Sequence, residues 1–373
     1  MGITIYWLII ALVVILGLVM PQQGRRRTYY ISAMAVLHAC VSGFRYRYLT
    51  GDLMKYAWGY QNTYPANGYF SEAVFNKGIN TGFFWLSKFL SGLSGGDFQV
   101  MLIVVAVIIE LALAILIFKY SPRPWLSYLV WNCIGFYIFG FSALKQSLAM
   151  ALIMLAMDAI LDEKPKRFLL FSLLGGFVHF PAFAFLPAYW IAKARIRPMT
   201  LLGYIAAAVL IFIFQNPIVR FITNIYYEEG ELMLADSVAL GGRFYMMVVI
   251  LVMGVCLKGF RDDRFNKVFN IMVVAAIFQM FAGYDNIFTR FADYYFQFSV
   301  LFLPMMVSSD ATNPQLGGTH TGAPFPFNKR SLAIIAFAMA AYLVWYYNRT
   351  ALSQTFESAV DDYLNYRSMW DVQ

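Results

Sequence analysis

Long apolar runs separated by short polar breaks dominate the chain, and within each run the apolar residues are continuous rather than alternating. Runs at 3–20, 29–44, 98–118, 125–141, 143–161, 199–216, 243–260, 268–283, 288–307 and 331–347 each approach the roughly 20 apolar residues that a helix needs to cross a bilayer. A membrane barrel would show a period of two, which these runs lack, so the pattern predicts helices as the spanning element. The expected fold class is all-α: a polytopic integral membrane protein with about ten transmembrane helices in a single transmembrane domain over residues 1–373. The first run has no basic stretch before it and no small-residue cleavage site after it, so it reads as an uncleaved first helix.

Charge between the runs predicts their orientation. Arg25, Arg26 and Arg27, then Lys119 and Arg123, then Lys164, Lys166 and Arg167 follow successive runs. Lys258, Arg261, Arg264 and Lys267 separate two later ones, and Lys329 and Arg330 precede the last. Basic residues in short loops favour the cytoplasm. The segment 217–242 instead carries Glu228, Glu229, Glu231 and Asp236 and is placed outside, together with the long segment 45–97, while 308–330 is expected to be cytoplasmic.

One further apolar run, 168–192, breaks this scheme because basic residues flank both ends: Lys164, Lys166 and Arg167 before it, Lys193, Arg195 and Arg197 after it. Its centre reads G-G-F-V-H-F-P, with Gly175, Gly176 and Pro181 around His179, and Gly and Pro disfavour a continuous helix. A re-entrant hairpin with His179 near its tip resolves the conflict. A single kinked crossing of 25 residues is the alternative, and the sequence leaves both open.

Composition agrees with the pattern. Hydrophobic residues make up 61% and charged residues 13% of the chain, against about 45–50% and 25% in soluble domains. The net charge of +8 would point to nucleic acid in a soluble protein. Here the basic residues sit in short loops, so no nucleic-acid partner is expected. Cys40, Cys133 and Cys256 all lie inside apolar runs, with no Cys-x-x-Cys pair or Cys/His cluster, so neither a zinc site nor a disulfide framework is expected. No cofactor is implied.

Polar residues predicted at the outer face carry the candidate chemistry. The segment G-F-R-Y-R-Y-L-T-G-D-L-M-K-Y supplies Arg45, Arg47, Asp52 and Tyr56. Guanidinium groups grip phosphate oxygens and stay charged, and flat aromatic faces suit sugars. An interfacial belt of anchoring aromatics and snorkelling arginines is the plainer account of the same residues. Lys145 and Gln146 open another run, Arg243 follows Gly241 and Gly242, and Y-D-N-I-F-T-R-F-A-D-Y-Y-F brings Arg290, Tyr294 and Tyr295. Ionisable groups at membrane depth are costly and hence functional candidates, and several cations on one rim predict a phosphate-binding pocket. Glu110 lies in the middle of its run, as a coupling group or as a neutral, packed carboxyl. His179 is the first candidate for removing a hydroxyl proton and Asp52 the second.

These clusters, in this order, resemble the EpsG family of exopolysaccharide proteins within the broad class of Wzy-type polysaccharide (O-antigen or exopolysaccharide) polymerases. The resemblance rests on F-R-x-x-x-x-x-G-D-x-x-x-Y (Arg45, Asp52, Tyr56), the basic-Gln pair Lys145 and Gln146, the run carrying His179, and R-x-x-x-Y-Y (Arg290, Tyr294, Tyr295). It covers roughly residues 1–310. Two departures stand out: the family's basic-Gln element usually has Arg where this chain has Lys145, and Phe180 and Pro181 follow His179 where a small polar residue is common.

The resemblance implies a multi-pass protein of the bacterial cytoplasmic membrane that moves a glycan from undecaprenyl pyrophosphate onto a lipid-linked oligosaccharide repeat unit at the outer face. It implies membrane lipid, a chain-length regulator and a flippase as partners. Under it, Arg45, Arg47, Lys145, Arg243 and Arg290 hold the pyrophosphate, and Tyr56, Gln146, Tyr294 and Tyr295 the glycan. His179 or Asp52 is the base, in a metal-independent glycosyl transfer. Two other readings fit the same residues: a multi-helix glycosyltransferase that uses a lipid-phosphate sugar, and a flippase or transporter for lipid-linked glycans.

Overall fold

The computed structural model describes residues 2–20, 23–47, 51–63, 80–226, 240–258, 260, 262–308 and 329–349. These residues form helices with short connections. α1 (Gly2–Val19), α2 (Gly24–Gly43), α3 (Gly51–Thr63) and α4 (Thr81–Ser94) precede the long α5 (Phe98–Tyr120). Then come α6 (Pro124–Cys133), the single turn α7 (Phe136–Phe139), α8 (Leu144–Leu161) and α9 (Pro165–Val178). A 3₁₀ segment at Phe180–Phe185 leads into α10 (Ala188–Ala192), α11 (Pro198–Ile213) and α12 (Gln215–Tyr226). The rest of the described chain is α13 (Gly242–Leu257), α14 (Asp263–Gln279), α15 (Asn286–Phe296), α16 (Ser299–Met306) and α17 (Lys329–Arg349).

α5 shows why these are membrane helices. Met101, Leu102, Val105, Ile109, Leu113 and Leu116 are buried against neighbouring helices, while Val107, Leu111, Ile115 and Phe118 are exposed along the opposite stripe. A helix apolar on both faces has no use for water on either. By length and composition α5, α8 and α17 can each cross a membrane alone, and α11 with α12 forms a fourth candidate bent by 75°. Of the remaining predicted crossings, α2 is continuous over 20 residues but opens on Arg25, Arg26 and Arg27, α13 and α14 are shorter at 16 and 17 residues, and two runs are broken where hydropathy does not show it. The run 125–141 is interrupted where Gly135 takes φ 95°, a left-handed conformation that a side chain disfavours. The run 288–307 divides into α15 and α16 at Gln297 and Phe298. The segment 45–97 is not simply a polar loop, because α3 and α4 fold within it. Of 217–242, residues 227–239 lie outside the described residues, as do 309–328 of the expected cytoplasmic loop.

The run 168–192 is broken and doubles back. α9 continues straight through Gly175 and Gly176, and the helix ends at His179, whose backbone is extended (φ −147°, ψ 111°) just ahead of Phe180 and Pro181. The returning arm lies beside the outgoing one, with the Tyr189 and Phe168 rings 5.2 Å apart. It ends where the segment began. Asn270 donates to the carbonyls of Ala192 (3.2 Å) and Ala194 (2.8 Å). One turn away on the same helix, Lys267 binds Glu163 at 2.7 Å, and Lys193 acts electrostatically on that same carboxylate.

A charge cluster ties this end of the molecule together. Asp158, 2% exposed on its side chain, is held by Lys119, by Arg167 at 3.2 Å and by the Tyr120 hydroxyl at 2.8 Å. Lys119 also binds Asp162 at 2.8 Å and, with the neighbouring hydroxyl of Tyr120 and Lys164, holds that carboxyl well below the usual carboxylate range. The cluster joins α5, α8 and α9. The 18 residues of α8, at 1.5 Å each, put its other end about 27 Å away, roughly the thickness of a bilayer's hydrocarbon.

Candidate functional site

That far end of α8 gathers most of the predicted residues. α9 runs antiparallel to α8 and delivers His179 beside the first turn of α8, which carries Lys145 and Gln146. α15 completes the cluster: Asp285 caps its first turn by accepting from Ile287 N (2.7 Å), so the helix starts at a defined point. Arg290, Asp293 and Tyr294 then fall on one face, at the i, i+3, i+4 spacing that makes helical neighbours.

His179 is buried, and its Nδ1 meets the Tyr294 hydroxyl at 2.6 Å. Its Nε2 takes no hydrogen bond from any described residue. Tyr294 thereby fixes the ring orientation. Tyr295, one residue on, turns away from the imidazole and donates to the Ala184 carbonyl at 2.5 Å, which secures the 3₁₀ segment.

The predicted cations divide into two sets. Arg243 pairs with Asp293, whose other oxygen accepts from Gln146 Nε2 at 3.2 Å, and the guanidinium lies 5.2 Å from the Phe296 ring centroid. Arg47 pairs with Asp97 at 3.6 Å. Arg45 is 1% exposed; it donates to the carbonyls of Phe141 (3.2 Å), Gly140 (3.4 Å) and Ser42. It therefore holds the turn before α8 by its backbone.

Lys145 and Arg290 are different. Neither donates a hydrogen bond to, or forms an ion pair with, any described residue, although both act on His179 electrostatically and on each other, and Arg290 also acts on Asp293. Lys145 Nζ lies 5.7 Å from the Tyr56 ring centroid, a cation–π distance. Asp52 lies nearer the surface, with Lys55 at 3.8 Å and the Ser142 hydroxyl at 3.5 Å, and it acts on Lys145 from there. Two cations with no ion-pair partner among the described residues, beside an imidazole whose Nε2 no described residue engages, form a site suited to a polyanion with a hydroxyl next to it.

Asn80 is a residue that the charge pattern gave no reason to choose. Buried at the start of α4, it accepts from Phe180 N at 3.2 Å through Oδ1, clamping the break directly after His179. Gly82 makes that approach possible, because a Cβ there would stand 3.0 Å from the Phe177 backbone. An Asn just before a helix start is a capping signal, and this was the available clue. Among the described residues, no three His, Cys, Asp or Glu side chains come together as a metal cluster.

Apolar outward faces and a cation-bearing polar site at one end of the helices define a multi-helix membrane protein. The sequence matches the family model described as EpsG family over residues 28–316. The chain belongs to the EpsG family, a family of Wzy-like polysaccharide polymerases, and so to a generally glycosyltransferase-like group of membrane proteins. The matched span takes in every site residue from Arg45 to Tyr295. Neither curated proteins nor solved structures give a match.

Proposed function

We propose that this protein lengthens a polysaccharide by moving a glycan from undecaprenyl pyrophosphate to a lipid-linked oligosaccharide repeat unit, at the outer face of the bacterial cytoplasmic membrane. The orientation rests on the basic cluster around Asp158, which favours the cytoplasm and lies about 20 Å along the helices from the level of His179, some two thirds of the hydrocarbon thickness. The observation that supports the reading is the pair Lys145 and Arg290, without an ion-pair partner among the described residues and acting on His179, whose Nε2 no described residue engages.

In this reaction the acceptor hydroxyl passes its proton to His179 Nε2 while its oxygen bonds to the anomeric carbon. The bond from that carbon to the pyrophosphate oxygen breaks, and its electron pair leaves on the lipid pyrophosphate. Lys145 and Arg290 meet the developing negative charge, an electrostatic role that accounts for large rate effects in dry sites. The tautomer with hydrogen on Nδ1, donating to the Tyr294 oxygen, leaves Nε2 as the acceptor. Arg45, Arg243 and Gln146 act mainly by holding the elements that carry the two cations, and Arg47 extends the basic rim. Tyr56 lines the approach for the glycan, Tyr295 acts by securing the 3₁₀ segment after His179, and the transfer needs no metal.

The test is polymer length in a null strain complemented with the wild-type chain or His179→Ala at equal membrane expression. The reading expects single-repeat product outside the cytoplasmic membrane and no long polymer for the variant. Unchanged long polymer removes His179 as the base and leaves Asp52. Repeat units retained inside the cell point to transport rather than transfer.

A further inference from the structure

Behind the site, between α2, α5, α6 and the start of α8, lies a small, partly open cavity lined by Arg45, Glu110, Trp131, Gly140 and Ser147 among others. Its volume is about 10 Å³, close to what a single water requires. Three polar atoms on these lining residues are buried and make no hydrogen bond of good geometry among the described residues: Glu110 Oε2, Trp131 Nε1 and Ser147 Oγ, although the indole and the carboxyl are near enough to interact. They come from three different helices. An orphaned buried polar atom is costly, and three around one cavity call for a common partner.

The chemistry of the wall selects that partner. An indole N–H can only donate, a hydroxyl can do either, and a carboxyl oxygen accepts when ionised. A bound metal cation needs acceptors on every side, but here Trp131 and the Arg45 guanidinium present donors and positive charge. An anion is opposed by Glu110. A neutral molecule that both donates and accepts, and that is no larger than one heavy atom, fits all three groups.

We propose that this cavity is a binding site for one structural water, which accepts from Trp131 Nε1 and bridges Glu110 Oε2 and Ser147 Oγ. The site lies beyond the polymerase reading and does not depend on it. Its consequence reaches the functional end, however. Ser147 directly follows Lys145 and Gln146, and Gly140 is held by Arg45, so water and guanidinium together brace the first turn of α8 from behind.

The test is X-ray radiolytic labelling of the purified full chain in ¹⁸O water, which oxidises side chains next to ordered water. Trp131 is expected to take up ¹⁸O in the wild type despite being buried, and to lose that label in Glu110→Leu. An unlabelled Trp131 in the wild type overturns the proposal, and so does equal labelling in both proteins. Because Glu110→Leu could disturb folding, a second measurement uses the milder Glu110→Gln and Ser147→Ala, singly and together. A shared water makes the melting-temperature losses less than additive, whereas strict additivity contradicts a bridge.

Discussion

The two ends of α8 carry charge in opposite ways. Around Asp158, acids and bases match: Lys119, Arg167 and the Tyr120 hydroxyl converge on one carboxylate, and Asp162 and Lys164 extend the network. Around His179, Asp293 pairs with Arg243, while Lys145 and Arg290 form no ion pair with a described residue and feel Asp52 and Asp293 only from further off. A protein can hold two unpaired cations at membrane depth only at a cost. Matched charges at one end hold helices together, and the mismatch at the other calls for an anion from outside. The difference separates residues for folding from residues for function without any appeal to residue type.

The comparison can be broken most severely at the imidazole. His179→Ala should lower polymer formation by about 100- to 10,000-fold, the range for a lost general base, with the membrane level kept and only a modest fall in melting temperature from the lost Tyr294 hydrogen bond. Next come the cations: Arg290→Gln and Lys145→Gln should each cost on the order of 100-fold in transfer rate, and Lys145→Arg should retain activity. Equal loss of stability in these variants would mean that the cations hold the fold after all. Asn80→Ala should lower kcat about tenfold by loosening the turn after His179 while leaving KM nearly unchanged. Asn80→Asp, which keeps an oxygen for Phe180 N, should restore most of it.

At the matched end the expectation reverses. Asp158→Asn should destabilise the protein by about 1–3 kcal/mol, the cost of leaving buried partners unsatisfied, with activity per folded molecule unchanged. The smallest effect is acid sensitivity. Lys119 holds Asp162 below the usual carboxylate range, so this contribution is fully present above the unfolded carboxylate pKa near 4. It is lost as pH falls through the lower folded value. Melting temperature should therefore begin to fall only below about pH 4, and less steeply in Asp162→Asn.

Much of this was legible in the sequence, and the remainder has physical reasons for being hidden. Continuous apolar runs announce helices, and the clash of basic flanks around 168–192 announces a chain that doubles back. Apolar runs conceal their own breaks: nothing in hydropathy distinguishes Gly135 in a left-handed turn from a helical glycine, or marks Gln297 as a division. The segment 45–97 looked like a loop because Arg, Asp and Tyr outweigh its apolar residues, yet α3 and α4 bury Leu53, Ala57 and Phe83. Residue type identified the cations, but it could not sort them. Arg45 and Arg290 look alike in sequence, and only the carbonyls of Gly140 and Phe141 show that Arg45 is already engaged.

The most direct measurement is the thermal shift of the purified full chain on adding inorganic pyrophosphate, compared among wild type, the double variant Lys145→Gln/Arg290→Gln, and Asp158→Asn. A ligand that binds the folded state alone raises the melting temperature by an amount that grows with the logarithm of its concentration relative to Kd. The account predicts a salt-sensitive rise for the wild type and for Asp158→Asn from its own lower baseline, and none for the double variant. An undiminished rise in the double variant would place the anion elsewhere and contradict the claim that Lys145 and Arg290 form the site.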